Sequence, residues 1–73
     1  MDYRAYPVGP DGHLQAPTVI VAASDALAID QVKRLLNGLP IELWQGSRMV
    51  GWFDRTSDGF IAERVPREPR QQM

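Results

Sequence analysis

Two alternating apolar runs mark residues 41–53, which read Ile-Glu-Leu-Trp-Gln-Gly-Ser-Arg-Met-Val-Gly-Trp-Phe. Two alternating runs joined by Gly46-Ser47 are the signature of a β-hairpin. A two-residue turn sets Gln45 opposite Arg48, Trp44 opposite Met49, Leu43 opposite Val50 and Ile41 opposite Trp52. Side chains alternate between faces along a strand, so one face is expected to carry Ile41, Leu43, Val50 and Trp52. The other is expected to carry Trp44, Met49 and Phe53, interrupted by Glu42 and Gly51. The first face is the better core.

Upstream, residues 3–8 predict a first strand, with Pro7 near its end. Gly9-Pro10-Asp11-Gly12 predicts a turn: Pro10 presets its own φ, and Gly12 suits the left-handed position of a bulged three-residue loop. Residues 13–22 then run back as a second strand. Pro17 makes its first half irregular or an edge, whereas the continuous β-branched run 18–22 reads as the buried half. Helical periodicity replaces alternation over residues 25–37. Ile29, Val32, Leu35 and Leu36 share a stripe with Ala28 beside them, and Asp30, Lys33 and Arg34 lie elsewhere. Ser24 or Asp25 caps the start, and Asn37-Gly38 followed by Pro40 ends it.

The order β-β-α-β-β predicts an α+β fold: one four-stranded, mostly antiparallel sheet with a single helix on one face. A strand order 2-1-3-4 makes every pairing antiparallel, while 1-2-3-4 sets the second strand parallel to the third. Pro7 argues weakly against a central first strand, so the order stays open. The domain is expected over residues 1–53, with 54–73 a polar loop and tail: 54–59 are loop-like, 60–62 suit a short strand or the start of a helical turn, and 64–73 read as a proline-broken, disordered tail.

Tyr3-Arg4-Ala5-Tyr6, Asp11-Gly12-His13-Leu14 and Glu42-Leu43-Trp44-Gln45-Gly46 with Arg48 and Val50 together resemble a set of short uncharacterised bacterial proteins of layout YRxY…DGHI…ELWQGxRxV. The resemblance covers residues 3–50 and implies a ββαββ fold in a bacterial cytoplasm. It implies no activity, cofactor or site residue. Pro7, Pro10 and Pro17 depart from that layout around the first hairpin.

Size changes the picture. At 73 residues the chain is one small domain, and a domain of about 60 residues buries only about 60% of its unfolded surface. It has no cysteine and a single histidine, which removes disulfides, thiolate metal sites and histidine clusters together. No cofactor is expected, and self-association as a homodimer is the remaining stabiliser. Charge is balanced, with 8 basic and 9 acidic residues. That disfavours nucleic acid as a partner, because phosphate neutralisation drives such binding. The longest apolar run, residues 19–23, is far too short for a membrane helix, and the start of the chain has no signal-peptide pattern, so a cytoplasmic protein is expected.

Candidate chemistry is sparse. His13 near Asp11 and Asp2 has no evident pocket or orienting partner and reads as a solvated turn residue. Ser24, Ser47 and Ser57 lie outside any nucleophile elbow, and the glycines of the first turn lack a phosphate-loop lysine. The predicted class is therefore a non-enzymatic binding or accessory protein, using Trp44, Met49 and Phe53 as an interface. The alternatives are a small regulator contacting nucleic acid through Arg4, Arg48 and the tail arginines, and a small-molecule enzyme with its site between subunits.

Overall fold

A computed structural model describes residues 1–56 and 58–65. The elements are β1 (Asp2–Pro7), β2 (Thr18–Val21), α1 (Asp25–Leu35), β3 (Ile41–Gln45), β4 (Arg48–Arg55) and β5 (Ile61–Arg64). They form one antiparallel sheet in the order β2-β1-β3-β4-β5, with α1 on one face. The class is α+β, but the sheet has five strands where the pattern predicted four.

Residues 54–73 are accordingly not all loop and tail. Asp54 and Arg55 complete β4, and Ile61–Arg64 pair with it as β5. Between them Thr56 N donates to Phe60 O at 2.7 Å and Gly59 N to Thr56 O at 2.9 Å, with Gly59 at φ 90°. Of the predicted disordered tail 64–73, Arg64 instead pairs with Trp52 in β5, and residues 66–73 lie outside the described residues.

The first hairpin closes through the same kind of loop. Gly9 N donates to His13 O at 2.8 Å, Gly12 N to Gly9 O at 2.9 Å, and Gly12 stands at φ 86°. Its return strand is shorter than predicted: between the loop and Thr18, Leu14 makes only an isolated bridge to Val8. Nor is 18–22 a buried strand, since only Ile20 and Ala22 are buried and Thr18, Val19 and Val21 are exposed. β2 is an edge, and β1 lies beside it in the interior of the sheet. Pro7 is tolerated there because its missing N–H would face β2, whose paired register with β1 ends at Ala5–Thr18.

α1 begins where Ser24 Oγ accepts from Leu27 N at 3.3 Å. It stops at Leu36, which leaves in extended backbone (φ −66°, ψ 121°), two residues earlier than predicted. Ala28, Val32 and Leu36 are buried against Tyr3, Ala5, Ile20, Ile41, Leu43, Val50 and Phe53. Burying a side chain such as Val32 contributes about 1.5–3 kcal/mol.

The second hairpin turns at Gly46-Ser47, with Gly46 alone at positive φ (60°), as a type II′ turn requires. Trp44 pairs with Met49 and Gln45 with Arg48 as predicted, but Leu43 pairs with Gly51, Glu42 with Trp52 and Ile41 with Phe53. Val50 is an extra residue, a β-bulge. It reverses the parity of everything after it. Phe53, predicted on the open face, is fully buried beneath the helix, and Trp52, predicted in the core, is only half-buried.

Gly51 leaves room for the buried Phe53 ring beside the bulge. A Cβ there would lie 2.8 Å from Phe53 Cζ and 3.2 Å from Arg64 O. Because the Phe53 ring is enclosed by the core, Gly51→Ala is expected to lower stability by about 1–3 kcal/mol. Chemical denaturation checks this; an unchanged midpoint means that the bulge can absorb a methyl group.

Candidate functional site

Alternation fixes what each face presents. With Tyr3, Ala5, Leu43 and Phe53 under the helix, Asp2, Arg4, Tyr6, Val19, Val21, Glu42, Trp44, Met49, Trp52, Asp54, Ala62 and Arg64 fall on the uncovered face. One row runs Tyr6–Glu42–Trp52–Arg64 across four strands, and the next runs Val19–Arg4–Trp44–Met49.

Both indoles are held in place. Trp44 Nε1 donates to Glu42 Oε1 at 3.0 Å, which supplies the polar partner that a half-buried indole needs. The Arg64 guanidinium carbon lies 5.5 Å from the Trp52 ring centroid, within cation–π range. Met49, Trp52, Arg64 and Val65 line a shallow open depression of about 330 Å³. The face is thus apolar at its centre and mixed in charge around it, with Arg4 and Arg64 set against Asp2, Glu42 and Asp54.

Of the three predicted interface residues, the structure brings Trp44 and Met49 together on this face and removes Phe53. Trp52 replaces it. The sequence carried one signal for that exchange: an isolated glycine within a strand pattern, Gly51, marks a bulge.

The candidate catalytic residues stay apart. His13 Nδ1 lies 2.9 Å from Asp11 Oδ2, but both side chains are largely exposed at the first loop. The hydrogen bonds from His13 hold the Asp11 carboxyl below its ordinary range, as in a turn stabilised by its own side chain. Ser24 is the helix cap and Ser47 an exposed turn residue, while Ser57 lies outside the described residues. Among the described residues no cluster of three or more His, Asp or Glu side chains could hold a metal ion. No helix among them is long and apolar enough to cross a membrane.

A second polar cluster sits under the sheet, at the opposite end from the His13 loop. Asp25, the first residue of α1, accepts from Tyr3 Oη at 2.8 Å and from both terminal nitrogens of Arg48 at 2.9 and 3.1 Å. Arg48 also donates to Gln45 Oε1 at 2.7 Å. Arg48, then Tyr3, hold the Asp25 carboxyl below its usual range. Burial, helped by the bond to Asp25, pushes the Tyr3 hydroxyl above its own. This bidentate pair ties the helix start to the hairpin tip and to β1, which is the work of a structural clasp.

Compared with protein-family models, with curated proteins and with solved structures, the chain finds no match.

A carboxyl whose pKa is depressed on folding contributes stability above its unfolded value, about 3.9, and loses that contribution as pH falls through the folded value. Asp25→Asn is therefore expected to melt below the wild type at about pH 6, with the gap closing as pH drops below about 4. Thermal unfolding followed across that range checks the assignment; a gap constant with pH would mean that Asp25 charge plays no part.

Proposed function

We propose that this chain is a small non-enzymatic binding or accessory protein that works as a homodimer and meets a protein partner on the open sheet face. The observation that carries the reading is the grouping of Trp44, Met49 and Trp52 on a face with no helix over it, each half-buried and the two indoles anchored. Tryptophan, methionine and arginine are the residues enriched at interface centres. Indoles fixed before binding lose little freedom on contact, which favours affinity.

The mixed charge of the face works against a phosphate backbone as the partner. Its two guanidinium groups are outnumbered by the three carboxylates of Asp2, Glu42 and Asp54, and phosphate binding needs a basic excess.

The test begins by isolating a partner on the immobilised full chain and then compares variants against it. Trp44→Ala and Trp52→Ala are each expected to weaken that complex by roughly 30-fold or more, the loss of about 2 kcal/mol that marks an interface anchor. Binding by calorimetry reads this, and far-ultraviolet dichroism confirms that the variants fold. A complex that survives both substitutions at full strength overturns the assignment of the face.

A further inference from the structure

β2 is an outermost strand, and its hydrogen-bonding phase can be read from its end. Met1 N donates to Ala22 O at 3.0 Å and Ala22 N to Met1 O at 3.1 Å, so these two residues form a bonded pair. Antiparallel ladders alternate bonded and non-bonded pairs. Tyr3–Ile20 and Ala5–Thr18 are then bonded, while Asp2–Val21 and Arg4–Val19 are not. The N–H and C=O groups of Val19 and Val21 therefore point away from β1, toward the free edge. Gln31 Nε2 reaches Val21 O from the helix at 3.3 Å, in keeping with that direction.

Proteins usually blunt such an edge with charge, proline or a bulge inside the strand. The opposite edge, β5, reads Ile-Ala-Glu-Arg and carries two charges. β2 reads Thr-Val-Ile-Val, with Val19 56% and Val21 67% exposed. Beside it, between strand and helix, lies a groove of about 640 Å³ whose helix wall is formed by Leu27, Asp30, Gln31, Arg34 and Leu35. Leu27 is 54% exposed there and Leu35 39%.

We infer that β2 is a strand-pairing edge, and that its occupant is β2 of a second copy of this chain, antiparallel about a two-fold axis at Ile20. This rests on the homodimer reading and adds where the two copies meet. The symmetry is favourable in three respects. With Ile20 opposite its own counterpart, the outward groups of Val19 and Val21 meet those of Val21 and Val19 in the other copy, making four backbone hydrogen bonds in which Val21 O takes the Val19 amide in place of Gln31 Nε2. Pro17, which lacks an N–H, falls outside those bonds. The axis also reverses one α1 against the other, setting Leu27 opposite Leu35 across the joined grooves, with the Asp30–Arg34 ion pair of each helix between them. Arg34 already pairs with Asp30 at 2.9 Å within each helix, so each groove wall is neutral and meets its copy without charge repulsion, whereas a strongly charged foreign strand finds no counter-field there.

Light scattering behind size-exclusion chromatography on the full chain, with amide hydrogen exchange by nuclear magnetic resonance, tests this. The wild type is expected at twice the chain mass, with the Val19 and Val21 amides exchanging more slowly as concentration rises. Val19→Pro removes an N–H that β1 does not use, and is expected to halve the solution mass. Val21→Lys, which places a charge on the same edge, is expected to do likewise and serves if the proline variant fails to fold. Trp52→Ala is expected to remain a dimer. A monomeric wild type overturns the homodimer reading and the edge with it. A wild-type dimer that persists in a folded Val19→Pro or Val21→Lys variant, or dissociates in Trp52→Ala, overturns the edge alone. Protection of Val19 and Val21 that is independent of concentration assigns the edge to another part of the same chain, and overturns the pairing of copies.

Discussion

Leu43 on β3 faces two residues of β4, Val50 and Gly51, and the geometry of both sheet faces depends on that inequality. The extra residue shifts the side-chain parity of the rest of β4, so Phe53 turns under the helix and Trp52 turns away from it. β5 inherits the shift through its pairing. Glu63, opposite Phe53, comes to the helix side, where it meets Lys33 at 2.9 Å; Arg64, opposite Trp52, reaches the indole on the other. Gly51 lets the Phe53 ring occupy space that a Cβ would claim. One inserted residue thus decides which aromatic is core and which is surface.

A single helix cannot cover both faces of five strands, and the division of labour that follows is sharp. Its own face holds the fully buried Tyr3, Leu43, Val32 and Phe53, with the Asp25–Arg48–Tyr3 clasp at one end and the Lys33–Glu63 pair toward β5. Exposed ion pairs of this kind contribute little individually. Their value here is positional, since each fixes where α1 lies across the strands. The uncovered face is left with large side chains restrained by one another rather than by a second layer.

Much of this was legible in the residues. Alternation located β3 and β4, the glycines located two turns, and helical spacing located α1 to within two residues of its end. The bulge was not legible, because a period-two pattern stays acceptable on either side of an inserted residue and Gly51 was its single mark. β5 was only half legible: Phe60-Ile61-Ala62 suited a short strand or a helical turn equally, and Glu63 and Arg64 carry little apolar signal. The loop before it offered a clue in Ser57-Asp58-Gly59, which repeats the Asp-Gly ending of Pro10-Asp11-Gly12. For β2, a continuous apolar run was read as burial when it equally suits an exposed edge. Of the candidate site, Trp44 and Met49 were visible and Trp52 and Phe53 were exchanged, an error of one residue in register.

The two rims of the sheet differ in kind, and that difference bears on how far any assembly can grow. An apolar rim at both ends would let one molecule add to the next without limit, the route by which strands build fibres. Here the Thr-Val-Ile-Val rim stands at one end alone, and Glu63 and Arg64 guard the other. On the proposed pairing, joining two apolar rims would leave the Glu63 and Arg64 rims outermost, so lateral growth would end after a single step. Substitutions that neutralise the β5 rim would then remove that stop and turn the proposed pair into the seed of a filament.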